Sequence, residues 1–255
     1  MPPAQPPATP GEKVTEMTYA ILPDRMPPIP ADELTDEQRK AVADITSGLR
    51  GEIRGPYWPI LRSPGFLMSV HRVGEYTRYH CKLDHRINEM ATLMGARAWT
   101  QQYAWNAHYG KAVKAGLAPA TLDALAEGRR PANMQQDEAV LYDFVTEVLA
   151  NKSVSDATYA SAVAQFGEEG VIDILGIVGY YSMLAMIMNV ARTGFTDGRP
   201  LPLIPTPVQL KSMMPGTASS SCSTMTSVPN GSFAYSLSGR LSSSSQSKSS
   251  RSSES

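Results

Sequence analysis

The chain has 255 residues, enough for one large domain or two small ones, and a formal net charge of −1. The tail from Thr206 carries Lys211, Arg240, Lys248 and Arg251 against Glu254, a net of +3, which leaves about −4 on the body. A mildly acidic body argues against a nucleic-acid backbone or an anionic membrane as partner. The two cysteines, Cys81 in the body and Cys222 in the tail, make neither a disulfide framework nor a CxxC site and fit a reducing, cytoplasmic compartment.

Residues 1–30 are proline-rich, without the apolar stretch of a secretory signal, and read as an extended, disordered lead-in. A first helix begins near Thr35, a suitable N-cap with Asp36 and Glu37 in the first turn, and stops at the glycines of GLRGEIRG. PYWPILRSPG reads as a loop with bulky apolar side chains that pack back on the domain or line a pocket. From Phe66 the pattern is helical almost without interruption. FLMSVHRVGEYTRYHC is one segment, DHRINEMATLMGARA a second with Asp84 as N-cap, and WTQQYAWNAHYGKAVKAG a third that ends at Gly116. APATLDALAEG is short, with Pro119 or Thr121 near its start. MQQDEAVLYDFVTEVLAN places Val140, Leu141, Phe144, Val145 and Val148 at helical spacing.

SDATYASAVAQFG opens on Ser155 as a cap, and EEGVIDILGIVGYYSMLAMIMNVA is apolar nearly all round, the pattern of a buried central helix. Its run from Val171 to Ala191 is the nearest approach to a membrane span, but it holds Asp173 and Asn189, and nothing else in the chain reads as a membrane protein. No segment alternates well enough for a strand. The fold class is therefore all-α, about seven or eight helices over residues 31–204 with short connections. Residues 205–255 are serine-rich and too poor in large apolar side chains to offset their ordering entropy, so they read as a disordered tail.

On a helix, Gln101, Ala104, Trp105 and His108 share one narrow face. Glu89, twelve residues before Gln101, completes an ordered set: Glu89, Gln101, Ala104, His108. Together with Arg86–Glu89 (R-x-x-E), Tyr103–His108 (Y-x-W-x-x-H) and Ala112–Leu117 (A-x-x-x-G-L), this set resembles the carboxymuconolactone decarboxylase/alkylhydroperoxidase D superfamily over residues 31–204. The resemblance implies the helical alkylhydroperoxidase D-like fold, homo-oligomers, no cofactor, and a small-molecule substrate. The peroxidase branch carries a CxxC pair where this chain has Gln101 and Ala104. Thiol-based peroxide reduction needs one thiolate to attack and a second thiol to resolve, so the departure points to the decarboxylase-like branch.

The chemistry so implied is acid–base. Loss of a carboxyl group leaves electron density that must be spread into a conjugated carbonyl and then protonated, which suits a histidine held by a carboxylate. His108 and Glu89 are the catalytic candidates. In one continuous helix they would lie about 30 Å apart, so the pairing requires a helix–turn–helix, with Gly95 the expected break. Arg86 is the favoured cation for the substrate acid, ahead of Arg78 and Arg62. Trp105, Gln101, Tyr103 and Trp58, with Tyr57, are candidate pocket walls. His71, His80, His85 and Cys81 have no recognised metal-ligand spacing, so no metal is expected. The competing reading is an oligomeric scaffold of the same fold, without catalysis, whose His108 is satisfied in a closed core.

Overall fold

A computed structural model describes residues 23–194, Leu203 and two short strands, Met225–Ser227 and Phe233–Tyr235. The chain divides into a helical unit spanning 21–210 and a second unit drawn from its two ends, 1–20 and 211–255. In the second unit the two strands pair antiparallel, with Thr226 opposite Ala234. The sequence of this segment, without polar–apolar alternation, predicts no strand there. The disorder expected of the lead-in and of the remaining tail falls outside the described residues, apart from 23–30.

Eight α-helices make up the helical unit among the described residues: α1 Asp36–Ser47, α2 Tyr57–Ile60, α3 Pro64–Glu75, α4 His85–Ala98, α5 Gln102–Lys114, α6 Pro119–Ala126, α7 Gln136–Asn151 and α8 Asp156–Ala191. Local chemistry sets most of the boundaries. Thr35 and Gln38 close a capping box at α1, Asp84 accepts the Arg86 amide at α4, and Ser155 accepts the Thr158 amide at α8. The segment read as a loop, PYWPILRSPG, instead supplies α2 and the first two residues of α3. Beyond Glu75, α3 runs on as a π-helical turn, Tyr76–His80. Within α8, Gly167 has φ +70° and divides the helix where the sequence had suggested two segments.

The core forms where α4 lies between α5, α7 and α8. Ile87, Met90, Leu93, Leu141, Phe144, Ile174, Ile177 and Leu184 are buried together there. At about 25 cal/mol per Å² of apolar area removed from water, this burial is the main force that holds the helices together. Gly95 is not a break. It sits inside α4, where an added Cβ would stand 3.3 Å from the Val178 carbonyl and 3.4 Å from Tyr181 Cβ, so its role is to let α8 approach. The chain reverses instead at Trp99–Gln101, with Thr100 at φ +47°.

α8 is the one described helix long and apolar enough to span a membrane, but 56% of its most apolar window is buried inside the unit, as in a core helix. It is not buried all round: Ile172, Leu175, Met186 and Val190 are exposed along one side.

Candidate functional site

The turn at Trp99–Gln101 folds α5 back along α4 and brings His108 to Glu89. His108 Nδ1–H donates to Glu89 Oε2 at 2.7 Å, and both side chains are 6% exposed. The imidazole and the Tyr181 ring meet edge-to-face with their centroids 4.9 Å apart, which restrains the imidazole plane. Burial pulls the His108 pKa down, and this outweighs the upward pull of Glu89, so the imidazole is held neutral below the ordinary histidine range. Burial, the largest single influence on Glu89, pushes its carboxyl up, but the bond to His108 and the electrostatic pull of His108, Lys111 and His85 together outweigh it and leave the carboxyl below the usual carboxylate range. The two directions describe one state: a carboxylate that accepts Nδ1–H and a neutral ring whose lone pair is on Nε2.

His108 opens onto a small pocket. Tyr180, Tyr181, Leu184 and Met188 of α8 form one wall, and Tyr103, Ala104 and Ala107 of α5 a second. Three arginines reach it: Arg50 and Arg54 from the loop after α1, and Arg78 from the π turn. Arg50 lies 3.6 Å over the Tyr57 ring, Arg54 pairs with Glu52 at 2.9 Å, and Arg78 stands near Tyr181 on the pocket wall. Lys111, one turn beyond His108, has its pKa pushed down to about 8 by burial and by the charges of Arg78, Arg54 and Arg50, against the pull of Glu89. Such a concentration of positive charge within a mildly acidic body favours an anionic ligand.

The other residues singled out from sequence are placed differently. Tyr103 lines the pocket. Gln101 caps α5: its Oε1 accepts the amides of Tyr103 (2.6 Å) and Ala104 (3.3 Å), while its Nε2 donates to Asn189 Oδ1 of α8 at 3.0 Å. Trp105 is buried in the core, and Trp58 packs against it half-buried; neither lines the pocket. Arg86, proposed to hold the substrate acid, is instead held by Asp137 (2.6 Å) and Glu138 (2.6 Å) at the start of α7, away from the pocket. Sequence reasoning missed that pairing because the partners lie some fifty residues on. It also missed Arg50 and Arg54, whose signal was two arginines set among glycines in GLRGEIRG, and Tyr180 and Tyr181, a polar-tipped pair in an aliphatic run. Among the described residues no group of three or more His, Cys, Asp or Glu side chains has metal-binding geometry. Cys81 donates to Asp173 Oδ2 at 3.4 Å, and burial pushes its thiol pKa up, away from the reactive thiolate.

No protein-family model and no curated protein matches the sequence. Solved structures do match in fold. One is the alkylhydroperoxidase AhpD core of an uncharacterized peroxidase-related protein from Ralstonia eutropha, 18% identical, covering 68% of this chain and 93% of its own, with a TM-score of 0.57. Another is an uncharacterized peroxidase-related protein from Silicibacter sp., 16% identical, covering 73% of this chain and 94% of its own, with a TM-score of 0.53. The chain has the AhpD-like fold. In this AhpD-like chain the two positions that the sequence comparison set against a CxxC pair, Gln101 and Ala104, are a helix cap and a pocket-wall methyl.

The pair at the centre of the site makes stability depend on pH with a definite sign. Both groups have folded pKa values below their unfolded ones, so the unfolded chain binds protons more readily at each. The stability they contribute is present above the unfolded values. It is lost as pH falls, first through the region just below the ordinary histidine range and then below the carboxylate range. The melting temperature is expected to fall in two stages on acidification from pH 7, and Glu89→Gln should remove the second. A melting curve at each pH checks this; a profile flat through both windows would contradict the assigned protonation states.

Proposed function

We propose that the chain is a cofactor-free, decarboxylase-like enzyme acting on a small carboxylated lactone or related ring acid. The observation that carries this reading is the buried His108–Glu89 pair opening onto a pocket where Arg50, Arg54 and Arg78 converge. The arginines hold the ring acid and the oxygen of its conjugated carbonyl, where charge collects as the carboxyl leaves. His108 Nε2 accepts a proton and passes it to the carbon, and Glu89 steadies the imidazolium that forms between the two events. A depressed histidine pKa makes that imidazolium a strong acid, suited to protonating carbon. Gln101 and Ala104 supply no thiol for the peroxide chemistry suggested by the names of the fold relatives.

The test is loss of the chromophore of 4-carboxymuconolactone on the full chain, with His108→Gln as control. Glutamine keeps a polar partner for Glu89, so the fold should survive. Turnover by wild type and its loss in a folded His108→Gln supports the reading. No turnover of this or related ring acids by folded wild type favours the scaffold reading instead.

A further inference from the structure

A second histidine–glutamate pair lies behind the pocket. His71 of α3 is 5% exposed, and its Nε2 stands 3.5 Å from Glu75 Oε1 one turn on, a side chain still 29% exposed. On its other side, His71 Nδ1 meets the Tyr57 hydroxyl at 3.3 Å. Tyr57 is fully buried, and its hydroxyl converges beside Gly74 with that of Tyr180, which lines the pocket with His108. Gly74 makes this convergence possible. A Cβ there would overlap the Tyr180 hydroxyl and stand 3.2 Å from the Tyr57 hydroxyl, so the two phenols occupy space that any other residue would fill.

We propose that Glu75, His71, Tyr57 and Tyr180 form a proton relay between solvent and the pocket. A structural cluster would need only that its polar atoms be satisfied. This one has a partly exposed carboxylate at one end and a pocket-lining hydroxyl at the other, joined only by groups that both give and accept protons. Tyr57 and His71 are hydrogen-bonded at 3.3 Å, while His71 and Glu75 stand 3.5 Å apart as an ion-pair contact, longer than an ordinary hydrogen bond, as is common in unliganded sites that tighten when occupied.

The role assigned to the relay rests on the decarboxylase reading; its existence does not. When the carbon–carboxyl bond breaks, its electron pair stays with the ring, the carboxyl leaves as carbon dioxide, and one solvent proton must end on the carbon. After His108 has given up that proton, the Tyr180 hydroxyl passes one to a pocket water that restores Nε2. Tyr180 takes the proton of Tyr57, Tyr57 takes that of His71 Nδ1, and His71 takes at Nε2 a proton that the Glu75 carboxylate has first picked up from solvent; turning of the hydroxyls and return of the imidazole to its Nδ1–H tautomer reset the path. Each phenol gives as it receives, so no phenolate accumulates. That is required of Tyr180, whose ionisation burial pushes well up. The charged groups that face His71 are Glu75, Arg50 and Arg72, and its imidazole is held neutral chiefly by burial.

The test reads the proton path without turnover. With carbon-13 at the tyrosine Cζ, in equal parts light and heavy water, a slowly exchanging hydroxyl gives two lines and a rapidly exchanging one gives a single line. Wild type should show one line for Tyr180 despite its burial. His71→Gln and, independently, Tyr57→Phe should split it. Two lines in wild type, or one line in every folded variant, would overturn the relay. Glu75→Gln, at a partly exposed position, keeps the test available if the buried variants fail to fold, and should also slow exchange. In turnover, Tyr57→Phe is expected to lower kcat by about 10²-fold with KM held. If wild type turns over no ring acid while the exchange result holds, the relay stands and the decarboxylase reading alone falls.

Discussion

A Glu89→Gln variant is expected to lose about 10²–10⁴-fold in kcat while keeping its fold. Glutamine matches the shape of glutamate and can still accept the His108 Nδ1–H bond of 2.7 Å. What it removes is the charge proposed to steady the imidazolium during proton transfer. Losing one buried carboxylate also removes a desolvation penalty, so stability should change by no more than about 1–3 kcal/mol, in either direction. Glu89→Ala is different: it leaves a cavity and an unsatisfied imidazole and should cost about 3–5 kcal/mol. Steady-state rates and melting curves for both variants separate the roles. If Glu89→Gln keeps full activity, Glu89 is a packing partner of His108 and the dyad has no catalytic role.

Arg86→Ala should be the most destabilising single truncation outside the apolar core. Arg86 is bound by Asp137 and Glu138 at 2.6 Å each, and Glu138 is only 4% exposed. Removing the cation strands a buried carboxylate at the N-terminal turn of α7, at a cost of about 3–5 kcal/mol. That is a large share of the roughly 5–15 kcal/mol that holds a folded protein together, and corresponds to about 10 °C in melting temperature for a unit of this size. Adding Glu138→Gln to Arg86→Ala should recover part of the loss, because the stranded charge is then gone. A denaturant titration of the single and double variants checks this. A variant with unchanged stability and a raised KM would return Arg86 to the substrate.

These two residues show what could be read from the sequence. Helix starts at Thr35, Asp84 and Ser155 were legible because capping is local: one side chain, one nearby amide. The pairing of Glu89 with His108 is nineteen residues long and followed from family resemblance, not from periodicity. The position of the turn was misread because glycine is the usual marker of reversal, whereas here Thr100 takes the positive φ and Gly95 serves helix packing. Arg86 was misassigned for a related reason. Its nearness to Glu89 in sequence suggested the same site, yet one helical turn is enough to aim a long side chain at α7. The arginines that do reach the pocket come from a loop and a π turn, where no regular period announces which way a side chain points.

The origin of those arginines has a kinetic consequence. The long walls of the pocket belong to α5 and α8, whose amides are tied into the core and open only at a cost near that of unfolding the whole unit. Arg50 and Arg54 ride on a connecting segment, which can open locally at far lower free energy. Ligand residence time and fold lifetime are thereby set by different parts of the chain. Hydrogen exchange should show them as two separate tiers, and changes in the 48–55 segment could retune the first while leaving the second alone.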